Sequence, residues 1–345
     1  MKKVLYISNI EVPYRVRFFN QLSKHCDLTV LYESRGSGSR SKIWAKSEQA
    51  EHKTKYLRSA MDLAGILREV FSGYDKVIVG CFNEPIQALA VVIMRLFRRP
   101  CIINLDGETF LEGNSLKARL KRFVLAGAEA YLVAGEKSAE SVRKTWESKP
   151  IIPYYFSSLD DAEIAKHAAL ANQAARDDYI LVVGQYFDYK GMDIALEAAR
   201  MNRELRYKFV GMGSRTDKFL RELDVPENVE VIPFLQKEEL EREYRNCAML
   251  VLPSRQECWG LVINEAASFG TPIVSTWGSG AAVEFLSGKY SRYLAKPGDS
   301  ESLYNCICAC METKDHAGYT EHLLALSGKY SIEISVDAHV RFIRA

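Results

Sequence analysis

The feature that most constrains this chain is an alternation. Short runs of apolar and β-branched residues recur, each followed by a longer stretch with helical spacing, through the first half of the sequence and again through the second. In the first half the strand candidates are 4–9, 28–33, 76–81, 101–106 and 130–135, with helical stretches such as 16–24, 85–97 and 115–125 between them. In the second half they are 179–184, 207–211, 229–234, 249–253, 272–276 and 292–295. Strands separated by helices pair in parallel, and near-continuous apolar runs are covered on both faces. The prediction is an α/β chain of two doubly wound domains in tandem, facing a cleft, with a ligand at the strand carboxyl ends. The expected boundaries are 1–160, an Ala-rich helical connector at 161–177, a second domain at 178–327, and a C-terminal helix at 328–345. That last helix reads either as a plain surface helix or as one packing back on the first domain. Residues 35–46, rich in Ser, Gly, Arg and Lys, read as a loop.

Composition narrows the class. A length of 345 residues suits two domains, and 48% hydrophobic with 26% charged residues excludes a disordered chain. No uncharged apolar run is long enough for a membrane span. Lys2-Lys3 precede an apolar run too short for a signal-peptide core, so it reads as a first strand and the chain as cytoplasmic. The eight cysteines include no Cys-x-x-Cys pair and read as small buried hydrophobes in a reducing compartment. The six histidines lack metal-ligand spacing, and no metal is expected. Residues 1–160 carry 25 Lys and Arg against 17 Asp and Glu, so the first half is basic and the second acidic. A basic half meets something anionic. Its most basic helix combines Lys117, Arg119, Lys121 and Arg122 with Leu116, Leu120, Phe123 and Val124, and Arg95, Arg98 and Arg99 add a second cluster. Such a helix suits an anionic bilayer surface, hence a peripheral place on the inner face of a membrane. It equally suits an ordinary packed helix with a solvated basic face. Nucleic acid is disfavoured, because no recognition module is present.

The most informative segment runs from Pro253 to Ala266 and contains Glu257-Cys258-Trp259-Gly260-Leu261 and Asn264-Glu265. A buried strand ends, a loop with Gly260 follows, and a helix begins near Leu261. A helix N-terminus behind a glycine offers unpaired backbone N–H groups to an anion such as a pyrophosphate. Glu257 on the loop and Glu265 in the helix have the chemistry to accept hydrogen bonds from sugar hydroxyls. The same spacing also fits a capping acid and a surface acid.

These words resemble the family 4 retaining glycosyltransferases of GT-B fold. Glu257 and Glu265 stand at that family's Glu-x7-Glu spacing, and Trp259 to Ala266 with Gly270 to Thr276 is similar to its capsular and exopolysaccharide branch. The resemblance implies a nucleoside diphosphate sugar as donor, a glycan or lipid-linked acceptor, retention at the anomeric carbon, and no cofactor or metal. It implies that Glu257 holds donor sugar hydroxyls, Glu265 the nucleotide ribose, and Gly260 with Leu261 the diphosphate, with Trp259 in the same donor site. Val183 to Asp193 resembles the family's segment in which an Arg and a Lys clamp the diphosphate. Lys190 matches the Lys, while Gln185 stands where the Arg is usual and brings no charge. Gly211-Met212-Gly213 resembles a family turn, and Leu235 falls in the loop beside the base. In the first domain Pro13-Tyr14-Arg15 replaces the glycine-rich loop of many members, which makes Arg15 an acceptor-side anion contact; a solvated arginine at a helix start is the plain alternative. Asp106 and Glu108 end a strand where relatives put a His or an acid, Asp106 toward the donor sugar and Glu108 toward the acceptor. Helix-capping acids would look the same. Lys137 resembles a residue that lines the cleft.

The expected activity is therefore sugar transfer to a hydroxyl on a lipid-linked polysaccharide or lipopolysaccharide intermediate, with Glu257, Lys190 and Asp106 at the reacting centre. A nucleotide-sugar epimerase on the same fold is the enzymatic alternative. A two-domain solute-binding protein is the non-enzymatic one. A dinucleotide oxidoreductase is disfavoured, since no Gly-x-Gly-x-x-Gly follows the first strand.

Overall fold

The structure, a computed structural model, describes residues 1–34, 48–57, 62–80, 85–105, 115–171 and 176–344. Two compact units result: Met1–Ser158 with Ile332–Ala345, and Leu159–Ser331. The loop expected at 35–46 lies outside the described residues.

In chain order the first unit contains β1 (Lys3–Ile10), α1 (Pro13–Ser23), β2 (Asp27–Ser34), β3 (Lys53–Tyr56), α2 (Leu63–Val70), β4 (Lys76–Val79), α3 (Pro85–Leu96), β5 (Ile102–Leu105), α4 (Leu116–Leu125), β6 (Ala130–Ala134), α5 (Glu136–Thr145) and β7 (Ile151–Tyr154). Its seven strands form one parallel sheet in the order β3-β2-β1-β4-β5-β6-β7. The five strands expected from the sequence are the inner ones. Val4, Leu5, Tyr6 and Ile7 of β1 are fully buried, as an apolar run covered on both faces requires. The two edges carry no such signal. β3 is Lys-Thr-Lys-Tyr with alternating exposure, the polar type of edge that resists further pairing. β7 contains Pro153, which cannot donate to a ladder and so belongs at an edge.

The second unit contains α6 (Asp161–Ala171), β8 (Tyr179–Val183), α7 (Met192–Met201), β9 (Arg206–Val210), α8 (Thr216–Glu222), β10 (Val229–Ile232), α9 (Lys237–Asn246), β11 (Met249–Leu252), α10 (Leu261–Ser268), β12 (Ile273–Thr276), α11 (Gly280–Leu286), β13 (Leu294–Ala295), α12 (Ser300–Met311) and α13 (His316–Ser327). The final helix, α14 (Ile332–Arg344), belongs to the first unit. The second sheet is parallel, in the order β10-β9-β8-β11-β12-β13. All six strands lie where the apolar runs put them. The helix read as a connector is α6, and it packs within the second unit: the His167 ring stacks on Phe269 at 4.0 Å and bonds Ser268 Oγ at 2.8 Å.

α14 is not a plain surface helix. It buries Ile332, Val336, His339, Val340, Phe342 and Ile343. Its His339 ring lies 4.8 Å from Phe18 and 5.1 Å from Tyr154. His339 is neutral: its Nδ1 faces the Ser335 carbonyl at 2.8 Å, and burial pulls its pKa to about 4. Cys26, Cys101, Cys247, Cys306 and Cys310 are buried, Cys308 is half-buried and Cys258 is exposed; Cys81 lies outside the described residues.

Candidate functional site

Parallel sheets bind ligands where the winding direction reverses. In the second unit β8 lies between β9 and β11, so the chain winds one way through β9 and β10 and the other way through β12 and β13. The crevice at the carboxyl ends of β8 and β11 is therefore the physically favoured site. The donor candidates emerge there. Gln185 follows β8, Gly213 follows β9, Leu235 follows β10, and Glu257 to Leu261 follow β11. Gln185, Gly213, Leu235, Glu257 and Leu261 are all half-buried.

The loops after β8 and β11 are tied to each other. The Tyr189 carbonyl accepts from the backbone N–H of Arg255 at 2.9 Å and of Gln256 at 3.2 Å. The Arg255 guanidinium grips Asp193 with two bonds, 2.8 and 2.5 Å, and donates to the Asp188 carbonyl at 2.7 Å. Burial alone would raise the Asp193 pKa, but the Arg255 hydrogen bonds and charge outweigh it and hold the carboxyl below its usual value. Gly191 is left-handed, φ +67°, and lies against the Pro253 carbonyl, a place with no room for a Cβ. Across this junction Lys190 Nζ donates to Glu257 Oε2. The structure thus brings together two residues sixty-seven positions apart, both expected at the reacting centre.

Glu257 is held by backbone as well. Its N–H donates to the Gly278 carbonyl at 2.8 Å, and its carbonyl accepts from Gly280 N–H at 3.2 Å. Gly260, φ +102°, turns the chain into α10; its carbonyl takes the Ile263 N–H at 2.9 Å, which leaves the Leu261 and Val262 N–H groups at the helix start without a partner inside the helix. Trp259 is the exception among the donor candidates. Its indole is 4% exposed, donates to Asn264 Oδ1 at 2.9 Å and packs edge-on to Tyr330 at 6.2 Å. That side chain braces the loop against α10 rather than facing a ligand, because an indole that has found both an acceptor and a packed site is satisfied in place. Glu265 is not a surface acid. It is half-buried, and its Oε2 accepts from the hydroxyl of Tyr244 on α9 at 2.9 Å. Burial first, and then the Glu265 charge, push the Tyr244 hydroxyl far above its ordinary pKa, so it remains a donor.

Sequence reasoning missed Arg255, Asp193 and the segment Trp277 to Gly280. Arg255 and Asp193 sit inside the two recognised words, but as two ordinary charges they give no sign of pairing until β8 and β11 are seen to be neighbours. For 277–280 the signal was a Gly-Ser-Gly just after a strand.

In the first unit the reversal falls between β1 and β4. Arg15 follows β1, but it is not a solvated helix-start arginine: it is 6% exposed, with its guanidinium 5.2 Å from the centre of the Phe156 ring. It lines a cavity of about 20 Å³ with Tyr6, Asn104, Tyr154 and His339. Asp106 and Glu108 lie outside the described residues, as does the side chain of Lys137. Among the described residues no three His, Cys, Asp or Glu side chains cluster as metal ligands.

Comparison with known proteins adds identity to this geometry. Residues 166–318 match the family described as glycosyl transferases group 1. The chain is 28% identical over 175 residues to O-antigen chain mannosyltransferase C of Escherichia coli, covering 49% of this chain and 47% of that protein. It is 31% identical over 121 residues to a D-inositol 3-phosphate glycosyltransferase of a Mycobacterium species, covering 33% and 28%. The chain thus spans less than half the length of these curated relatives. The solved structure of Anabaena HepE in complex with UDP and glucose superposes with a TM-score of 0.71 at 16% identity, covering 100% of both chains. That likeness gives the fold: two parallel-sheet, Rossmann-like units of GT-B type. Residues 166–318, the greater part of the second unit, are a glycosyl transferases group 1 domain.

Proposed function

We propose that the chain is a retaining, family 4 type glycosyltransferase. It moves a sugar from a nucleoside diphosphate sugar to a hydroxyl of a lipid-linked polysaccharide or lipopolysaccharide intermediate, of the kind used for capsule or exopolysaccharide. The observation that carries this reading is the meeting of Lys190 and Glu257 at the reversal point of the second sheet, in front of the α10 N-terminus. The printed partners of Anabaena HepE, which are UDP, glucose and UDP-glucose, support the donor class. The name of the Escherichia coli relative supports the acceptor class.

In the reading, the donor diphosphate competes with Glu257 for Lys190. Glu257, released, accepts from donor sugar hydroxyls. Glu265, its carboxylate fixed by Tyr244, accepts from the ribose. Gln185 donates its amide N–H to a phosphate oxygen, the Gly213 and Leu235 loops flank the nucleoside, and Trp259, Gly260 and Leu261 contribute backbone. The bond from the anomeric carbon to the diphosphate breaks, the bond to the acceptor oxygen forms on the same face, and the acceptor proton passes to the leaving phosphate. Lys190 and the α10 N-terminus stabilise the charge that develops on that phosphate, so no metal is required. The resemblance assigns Asp106 to the donor sugar and Arg15 and Glu108 to the acceptor; Asp106 and Glu108 lie outside the described residues. The test is a panel of nucleotide sugars screened for diphosphate release, with and without lipid extract, beside calorimetry with UDP, GDP and NAD. Diphosphate release with UDP or GDP binding is the expected result; binding of NAD alone, with no release, would refute it.

The acceptor's lipid has a surface to meet. Along α4, Leu116, Leu120 and Phe123 form a stripe that faces outward, while Ala118, Val124 and Leu125 face the core. Leu96 and Phe97 at the end of α3 are also exposed, and Phe97 lies edge-on to the half-exposed Phe71 at 5.5 Å. Arg95 joins the two helices, its guanidinium 4.9 Å from the Phe123 ring centre and bonded to the Phe123 carbonyl at 3.0 Å. Exposed leucines and phenylalanines rimmed by arginines match the acyl boundary and headgroups of an anionic bilayer. Among the described residues no helix is long and apolar enough to cross a membrane.

A further inference from the structure

The reading above leaves an electrostatic deficit. A nucleoside diphosphate brings two or more negative charges, and its departure adds to them. The loop after β8 offers Lys190, already paired with Glu257, and Gln185, which is neutral. One cation shared with a carboxylate is a weak counter to a dianion.

The neighbouring loop holds a second cation. Arg215 stands at the start of α8, just beyond the Gly211-Met212-Gly213 turn that follows β9. β9 pairs directly with β8, and Gly211 lies beside the Gly184 carbonyl, so the two loops leave the sheet side by side. The Arg215 guanidinium lies 3.9 Å from the centre of the Phe187 ring. Phe187 in turn stacks with Tyr189 at 5.4 Å, and Lys190 Nζ lies 5.6 Å from the Tyr189 ring centre. The aromatic pair therefore has a cation at each member. Arg215 is half-buried, and no carboxylate among the described residues pairs with it. Three other half-buried cations of this unit are spoken for: Lys208 by Glu243, Arg255 by Asp193, and Arg176 by five carbonyl and hydroxyl oxygens. An arginine spread on a ring keeps its N–H edges free for an anion while the ring fixes its plane.

We propose that Arg215 binds the donor diphosphate and supplies the positive charge that Gln185 does not. The inference rests on the donor-site reading, and it deepens that reading by naming a ligand residue outside the recognised motif. It also implies a trade between positions: an arginine at 185 makes the one at 215 dispensable.

The experiment compares UDP and uridine binding by calorimetry in the full chain, with Arg215→Gln, Arg215→Lys, and the double change Arg215→Gln with Gln185→Arg. Thermal melting of each variant reports folding. Arg215→Gln is expected to weaken UDP by about tenfold or more, as for loss of a charge-assisted hydrogen bond, and to leave uridine unchanged. Arg215→Lys keeps part of the UDP affinity, and the double change restores most of it. The UDP preference over uridine also loses salt dependence in Arg215→Gln. If Arg215→Gln melts like the parent and binds UDP as tightly, or if UDP and uridine weaken equally, the inference is overturned while the donor site stands. If the parent chain binds neither UDP nor GDP, the donor-site reading fails first and takes Arg215 with it.

Discussion

Gly191 is the tightest point between the two loops that carry Lys190 and Glu257, and replacing it by alanine tests whether that junction is as closed as it looks. Two costs arise. At φ +67° an L-residue is in the left-handed region, which costs about 1–2 kcal/mol. The new Cβ would also overlap the Pro253 carbonyl oxygen and come within 3.0 Å of its carbon. That carbonyl cannot simply retreat. Pro253 is buried at the end of β11, and the next residues are bonded to Tyr189. Overpacking of a closed contact costs about 1–3 kcal/mol. The sum is a loss of about 2–5 kcal/mol. Gly213→Ala is the control, since Gly213 has φ +54° but open space where its Cβ would go. It should lose only the conformational part, about 1–2 kcal/mol. Urea denaturation of the three proteins gives both numbers, with unchanged m-values excluding a change in the unfolded chain. Because Lys190 precedes Gly191, UDP affinity should fall in Gly191→Ala beyond any loss seen in Gly213→Ala. If Gly191→Ala is no less stable than Gly213→Ala, the loops are not locked together and the placement of Lys190 against Glu257 loses its support.

Two further outcomes are expected. Replacing Leu116, Leu120 and Phe123 together by serine should lower sedimentation with anionic vesicles and leave nucleotide binding alone, whereas neutralising Arg119 and Arg122 should remove about 1 kcal/mol each of the same binding at low salt; equal sedimentation of all variants would remove the membrane face. His167 and His339 are buried and held at about 4, from an ordinary value of 6.5, burial being the first cause for both. A base whose folded pKa is depressed contributes stability that is full above pH 6.5 and is lost as pH falls toward 4, so each should forfeit up to about 3 kcal/mol across that window. Urea midpoints at pH 7 and pH 5 read this, and a His339→Gln chain whose midpoint falls as steeply as the parent's would contradict it for His339.

How far the sequence led depends on what each residue does. Inner strands were legible because burial on both faces demands unbroken apolar runs, as at Val4 to Ile7 and Leu250 to Leu252. β3 and β7 were not, because an edge strand is under no such demand and these two carry lysines and a proline. The Glu257 to Glu265 segment was legible as a site through a family word, yet the word does not say which of its side chains face a ligand. Trp259 and Asn264 turn to each other, and Glu265 turns to Tyr244. No single-sequence rule foresees these pairings, since they join a loop to a helix it precedes, or one helix to another across a strand. Arg255 with Asp193 is the same case: two ordinary charges become a brace only once β8 and β11 are known to be neighbours.

The two units repeat one topological device and use it differently. Each sheet reverses its winding beside its first strand, β1 against β4 and β8 against β11. Topology alone would permit a ligand at either. In the first unit the described residues at that point are shut in: Arg15 is buried against Phe156, Asn104 donates to the Tyr6 hydroxyl at 2.7 Å, and His339 from α14 closes the space. What is left is about 20 Å³, enough for a single water. In the second unit Lys190, Glu257 and Arg215 stay partly open, and α10 presents its first turn at the reversal point. A diphosphate needs cations it can reach and backbone N–H groups not already used, and only the second reversal supplies both among the described residues. The proposed placement of the donor in the acidic half of the chain, against the sign of its net charge, rests on this. Local cations at a fixed crevice outweigh the sum of distant surface charges, which solvent screens within about 10 Å.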